Sequence, residues 1–229
     1  MPKTCYMCSS PSSSREHVPP KAFFPNRGAG LQLATVPSCA IHNNAKSGDD
    51  MYLLAHICMA AAKGENLASQ VFMRSVKAQI ERRENFKSLL NDGSRPAGDE
   101  AVAYKVDVSR FDSFFDHLSA AMYHLRFGRT YDFATRHMNH VYLSLLTEDP
   151  EERKRIGFIE VQMKPLLYHF RLNVAEYEAD RIDEIVYRHQ FAAPAGEHGS
   201  VTIIHSFYGV FEVCSLLPSM AAMSLGARA

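Results

Sequence analysis

Hydrophobic spacing changes character twice along this chain. Residues 51–62 are almost unbrokenly apolar (Met51-Tyr52-Leu53-Leu54-Ala55-His56-Ile57-Cys58-Met59-Ala60-Ala61-Ala62) and follow a polar Ser47-Gly48-Asp49-Asp50 start. An apolar run of that length behind a cap predicts a buried helix. Val71, Phe72, Val76, Ile80 and Phe86 recur at roughly helical spacing, so 65–90 is expected to be an amphipathic helix or helix pair. Over 112–127 the stripe Phe114, Leu118, Ala121, Met122 and Leu125 predicts another helix, stopped by Gly128. Residues 134–146 are expected to be helical as well. The segment 91–98 reads as a loop on composition, and 101–108 alternates as a strand does. Beyond it, 156–163, 166–174, 182–190 and 201–217 are expected as strands. Near the N-terminus, 15–18 and 31–36 have strand-like alternation, the first closed by Pro19-Pro20. A helical block followed by several strands argues an α+β fold with a C-terminal antiparallel sheet.

Residues 1–47 do not fit that scheme. They are rich in Pro, Ser, Gly, Cys and Asn and have few aliphatic runs. Such a segment buries too little apolar area to fold unaided and needs a metal or disulfides. This predicts a small N-terminal module, 1–62, followed by an accessory, recognition or regulatory α+β region, 63–229. The 229-residue chain has zero formal net charge, which counts against a broad basic surface but leaves room for a local patch. Lys3, Arg15, Lys21, Arg27 and Lys46 outnumber Glu16, Asp49 and Asp50 in the N-terminal segment, so it is mildly basic. No apolar stretch reaches the roughly 18–20 residues that span a bilayer. The start Met1-Pro2-Lys3-Thr4 lacks a signal-peptide apolar region, so a cytoplasmic location is expected.

The 5 cysteines are an odd number and include a close CxxC pair, which does not suit a disulfide framework. Cys58 and Cys214 lie in apolar runs and read as buried packing residues. Cys5 and Cys8 form one ligand knuckle, and Cys39 and His42, with the same internal spacing, form a second. Two matched knuckles of soft ligands predict a tetrahedral, structural zinc site that staples the module together.

Between and beside the knuckles lie Glu16-His17-Val18-Pro19-Pro20 and Cys39-Ala40-Ile41-His42-Asn43-Asn44-Ala45-Lys46-Ser47. Together with Cys5-Tyr6-Met7-Cys8 these resemble the HNH endonuclease family, the zinc-knuckle branch of the ββα-metal nucleases. The motif lies within residues 5–47, and the stretches 114–129 and 206–213 look like the accessory region of some bacterial members. It implies a ββα module that hydrolyses phosphodiester bonds, with DNA as the expected substrate. His17 would be the general base, and Glu16 and Asn43 (or Asn44, in a register one residue later) would hold a catalytic Mg²⁺ or Mn²⁺. Lys46, one helical turn beyond Asn43, would reach the same phosphate. Two departures stand out. His42 replaces the usual fourth cysteine, and the family's central Asn is missing, with Thr35 in its neighbourhood. The missing Asn leaves two rivals: a non-catalytic zinc module binding nucleic acid or protein, and a defence-system effector needing a partner. A homodimer is compatible with either. The remaining histidines, including His56, His117, His124, His137, His140, His189 and His205, lack paired carboxylates or cysteines in sequence and read as core or helix-surface residues.

Overall fold

The computed structural model describes residues 3–44, 47–61, 66–97, 102–175, 185–192 and 200–218. Strands β1 (Ser14–His17) and β2 (Thr35–Ser38) pair antiparallel and lead into α1 (Ala40–Asn44) and α2 (Ser47–Ala61). Next come α3 (Leu67–Val71), a π-helical turn over Phe72–Val76, α4 (Lys77–Arg82) and α5 (Glu84–Asn91). A two-residue strand pair, β3 (Arg95–Pro96) with β4 (Val102–Ala103), precedes α6 (Val108–Phe127). Then follow β5 (Asn139–Tyr142), α7 (Pro150–Ala175), β6 (Tyr187–Ala192), β7 (Val201–Phe207) and β8 (Phe211–Leu217). The last four strands form one antiparallel sheet in the order β5-β8-β7-β6. The class is α+β, as the pattern predicts.

Two faces of this sheet explain the helices around it. Val201, Ile203 and Phe207 of β7 and Phe211, Val213 and Leu217 of β8 face the main core, with Phe111, Phe114 and Phe115 of α6. Ile204 and Cys214 alternate to the other face and meet α7. Helix α2 is buried from Tyr52 through Cys58, which accounts for its unbroken apolar run. Asp107 caps α6 by accepting from the Ser109 amide at 3.1 Å, so the helix starts ahead of the expected 112, and Gly128 closes it at φ 68°. The main core also reaches the N-terminal segment. Phe23 stacks on Phe114 at 5.4 Å and lies 5.2 Å from Phe207, while the Tyr208 hydroxyl donates to the Phe23 carbonyl at 2.7 Å. The expected boundary between 62 and 63 lies outside the described residues; on either side of it the apolar cluster is shared.

Several expected elements are corrected. The segments 156–163 and 166–174, read as strands, are both parts of the single helix α7. Ile156, Ile159, Met163, Leu166 and Leu167 recur every three or four residues and pack on Val141, Ile204 and Cys214. Local chemistry starts that helix: Asp149 accepts from the Glu151 amide at 2.9 Å, and Lys154 and Arg155 pair back to Glu151 and Glu152. The expected helix over 134–146 contains β5 instead, because His140 and Tyr142 find carboxylate partners on α6 while Val141 goes to the opposite face. Of the run 31–36, only Thr35 and Val36 join β2; residue 101 lies outside the described residues, and of 102–108 only Val102 and Ala103 are paired. The strand expected over 182–190 begins at Tyr187, and 182–184 lie outside the described residues. The run 201–217 is a hairpin, turned at Tyr208 and Gly209, both at positive φ. Among the described residues, no helix is long and apolar enough to cross a membrane.

One core histidine sets an acid limit on stability. His56 is 5% exposed, packs edge-on to Tyr52 at 4.4 Å, and burial pushes its pKa down to about 4. The unfolded chain therefore binds a proton at this position below about pH 6.5 that the folded chain refuses. Stability should fall as pH drops from 6.5 towards 4, by on the order of 1–2 kcal/mol over the first one to two pH units. His56→Phe keeps the ring stack and removes the titration. Urea melts at pH 7 and pH 5 should converge in that variant relative to the native chain; an unchanged difference would assign the acid sensitivity to other groups.

Candidate metal centre

Cys5, Cys8, Cys39 and His42 come together. Their ligand atoms all lie within 4.8 Å of one another, and among the described residues this is the one group of three or more His, Cys, Asp or Glu that converges in this way. Local backbone geometry places each ligand. In the first knuckle the Cys5 amide donates to the Ser10 carbonyl at 2.9 Å and the Met7 amide points at Cys5 Sγ at 3.5 Å. The Tyr6 amide donates to the Pro37 carbonyl at 2.9 Å, which pins that knuckle to the end of β2. Cys39 follows β2 directly, and the first turn of α1, closed by the Asn43 amide on the Cys39 carbonyl, brings His42 back over it. His42 Nδ1 stands 3.2 Å from Cys39 Sγ and 3.5 Å from Cys5 Sγ.

The donor set is three soft sulfurs and an imidazole, with Cys5 and Cys39 buried and Cys8 and His42 part-exposed. A tetrahedral ion with Zn–S bonds of about 2.3 Å needs sulfurs roughly 3.8 Å apart, which the observed spread accommodates. The cluster can thus hold a metal such as zinc. Burial raises the Cys5 thiol pKa despite amide hydrogen bonds to its sulfur. Burial also raises that of Cys8, but hydrogen bonds from Ser10 outweigh it and the net shift is downward. Two contacts tie the cluster to the larger region: Thr130 Oγ1 donates to the Cys5 carbonyl at 3.3 Å, and the His117 ring of α6 lies 6.0 Å from that of His42.

The acid-histidine pair is placed less simply. Glu16 and His17 are successive residues of β1 and leave it on opposite faces. Glu16 is buried, and the Tyr6 hydroxyl reaches both its carboxylate oxygens at 3.2 Å. His17 is half-buried, and its pKa is lowered by burial and by the positive charges of Lys21 and Arg15. Thr35, in the neighbourhood of the missing Asn, is registered directly opposite His17. Its Oγ1 accepts from Arg15 Nη2 at 2.6 Å and Nε at 2.8 Å, so Thr35 orients a cation beside His17. Asn43 is half-buried on α1, which packs against β1. Lys46 lies outside the described residues, as does the side chain of Asn44.

Tyr6 was not legible as a site residue. It is a spacer between two ligands, and its contact with Glu16 exists only once the knuckle docks on β2. Arg15 carried a weak signal, a cation next to the acid-histidine pair. The chain matches no protein-family model, no curated protein and no solved structure.

Proposed function

We propose that this protein is a metal-dependent endonuclease of the HNH type, hydrolysing phosphodiester bonds in DNA around His17. One observation carries the reading: a strand pair and the following helix are stapled by a Cys3His cluster, with a neutral-leaning histidine flanked by Arg15 and Lys21 at the end of the first strand. Zinc held by Cys5, Cys8, Cys39 and His42 would be structural, because these four protein ligands would fill a tetrahedral site.

The chemistry follows from the surroundings of His17. A depressed pKa leaves the imidazole unprotonated at neutral pH, so it can take a proton from a water attacking phosphorus. As the new P–O bond forms, the bond to the leaving oxygen breaks and negative charge grows on the phosphoryl oxygens. Arg15, oriented by Thr35, and Lys21 offset that charge. Glu16 and Asn43 offer the hard oxygens that Mg²⁺ or Mn²⁺ prefers and would hold the catalytic cation, with Lys46 against the same phosphate. Such a cation supplies charge neutralisation at the phosphate.

A second reading has its own support. The carboxylate of Glu16 is turned to the buried face and engaged by Tyr6, as in a closed zinc module that binds nucleic acid or protein without cutting it. The two readings separate in one assay. With supercoiled plasmid and Mg²⁺ or Mn²⁺, an endonuclease yields nicked and linear DNA, and chelation of the divalent ion stops it. A mobility shift without nicks, in the presence of either ion, selects the binding module.

A further inference from the structure

A cleft of about 590 Å³ opens between α6, β5, the segment after it and the start of α7, remote in sequence from residues 5–47. That size is ordinary for a small-molecule site. Phe133, Met138 and Leu145 supply apolar wall, and two carboxylates, Asp112 and Asp116, line it from successive turns of α6.

These two acids are held in place. Asp112 Oδ1 accepts from the Tyr142 hydroxyl at 2.6 Å. Asp116 Oδ1 lies 3.0 Å from His140 Nε2, and the His140 side chain is only 2% exposed. His140 Nδ1 is 2.8 Å from Ser215 Oγ, which is 3.1 Å from His205 Nε2; His205 Nδ1 is 2.8 Å from the Tyr187 hydroxyl. A carboxylate only accepts, so the His140 tautomer and the Ser215 donor follow from it. His140 donates from Nε2 to Asp116 and Ser215 donates to His140 Nδ1, while His205 Nε2 stands 3.1 Å from both Ser215 Oγ and Ser119 Oγ. Burial pushes the His205 pKa far down, reinforced by His189 and His140, which keeps its ring neutral with one proton to give. The donors of Ser215 and His140 thus point towards Asp116. The chain traverses the core between the sheet and α6 and terminates at the cleft.

Among the described residues, Asp112 and Asp116 are each engaged through Oδ1, and no partner is recorded for their opposite oxygens. The cleft also carries Asp149 and Glu152 against one cation, Arg155. That guanidinium is already committed to Glu152, Asn139 and the His140 carbonyl. The cleft therefore favours positive charge. A bare metal ion is poorly served, since among the described residues no group of three ligands converges there. We infer that this cleft binds an organic cation, a protonated amine or guanidinium on an apolar stem, with its charged head between Asp112 and Asp116. The stem lies along Phe133, Met138 and Leu145.

Titration calorimetry on the full chain tests this without reference to nuclease activity, with agmatine and spermidine as probes and 1-butanol as the uncharged control. Saturable one-to-one binding of at least one cation, and none of butanol, is the expected result. Asp112→Asn with Asp116→Asn should weaken it at least tenfold, since Asn still accepts from Tyr142 and His140 but offers no charge. Val108→Arg is the safeguard against a folding defect: Val108 lines the cleft, is 47% exposed, and its replacement puts a competing cation at the mouth. It too should abolish binding while leaving the melting temperature near native. Absence of saturable binding by both cations, or binding that survives Val108→Arg, overturns the proposal.

Discussion

Cys39→Ser is expected to abolish zinc binding and to lower the melting temperature by roughly 10–20 °C, the equivalent of about 5 kcal/mol for a domain of this size. The magnitude follows from what the cluster holds. Cys5 and Cys39 are buried beside Tyr6, whose amide is tied to Pro37, and the segment between the knuckles carries Phe23 into the main core against Phe114 and Phe207. Loss of the staple frees that segment, and the larger core loses one of its aromatic walls. Elemental analysis should give one zinc per native chain and less than a tenth of that in Cys39→Ser. Cys58→Ser is the matched control. It removes a buried thiol whose pKa burial raises to about 12, far from metal chemistry, and should leave zinc content unchanged. Full zinc in Cys39→Ser would dissolve the four-ligand assignment.

His17→Ala is expected to reduce plasmid cleavage by about 10²–10⁴, the usual worth of a positioned general base. Stability should barely move, because His17 is half-buried on the outer face of a strand and no hydrogen bond of its side chain is recorded among the described residues. The pH profile carries the sign of the mechanism. A base must be unprotonated, and burial with Lys21 and Arg15 holds the His17 pKa below the usual 6.5. Cleavage should therefore rise as pH increases through the region below 6.5 and be level by neutrality. Removing Lys21 as Lys21→Ala lifts one source of that depression, so the rising limb should move to higher pH. Cleavage by well-folded His17→Ala at the native rate would remove His17 from the chemistry.

Both predictions start from residues that are legible in sequence, and it is instructive where legibility stops. Cys5, Cys8, Cys39 and His42 could be read from spacing because a knuckle is a local object: two ligands and the turn between them fix their own separation. The run 51–62 and the stripe of 112–127 were equally readable, since a wholly buried helix and a one-sided one each leave a pattern in the chain. Strand expectations over 156–174 failed for a related reason. Ile159, Val161 and Met163 alternate with Glu160 and Gln162 over short range, and only the longer stripe from Ile156 to Leu167, together with the Asp149 cap, separates helix from strand.

The orientation of Glu16 was beyond any local pattern. Adjacent strand positions must diverge, but which of the two faces becomes interior depends on where the Cys5 knuckle docks, and Tyr6 decides that by covering Glu16. The carboxylate partner of His140 was likewise invisible. Asp116 is on α6 and His140 on β5, and nothing in their spacing announces the contact.

By itself, then, the sequence determined the two Cys/His knuckles, the buried and amphipathic helices and the α+β class, because each depends on neighbours a few residues apart. Tertiary structure alone decided that α7 packs on the far face of the sheet, that Glu16 faces Tyr6 while His17 faces Arg15 and Thr35, and that a buried chain of histidines ends on Asp116 at a cleft. Those outcomes depend on which apolar faces meet, and burial, once settled, dictates where each polar group finds its partner.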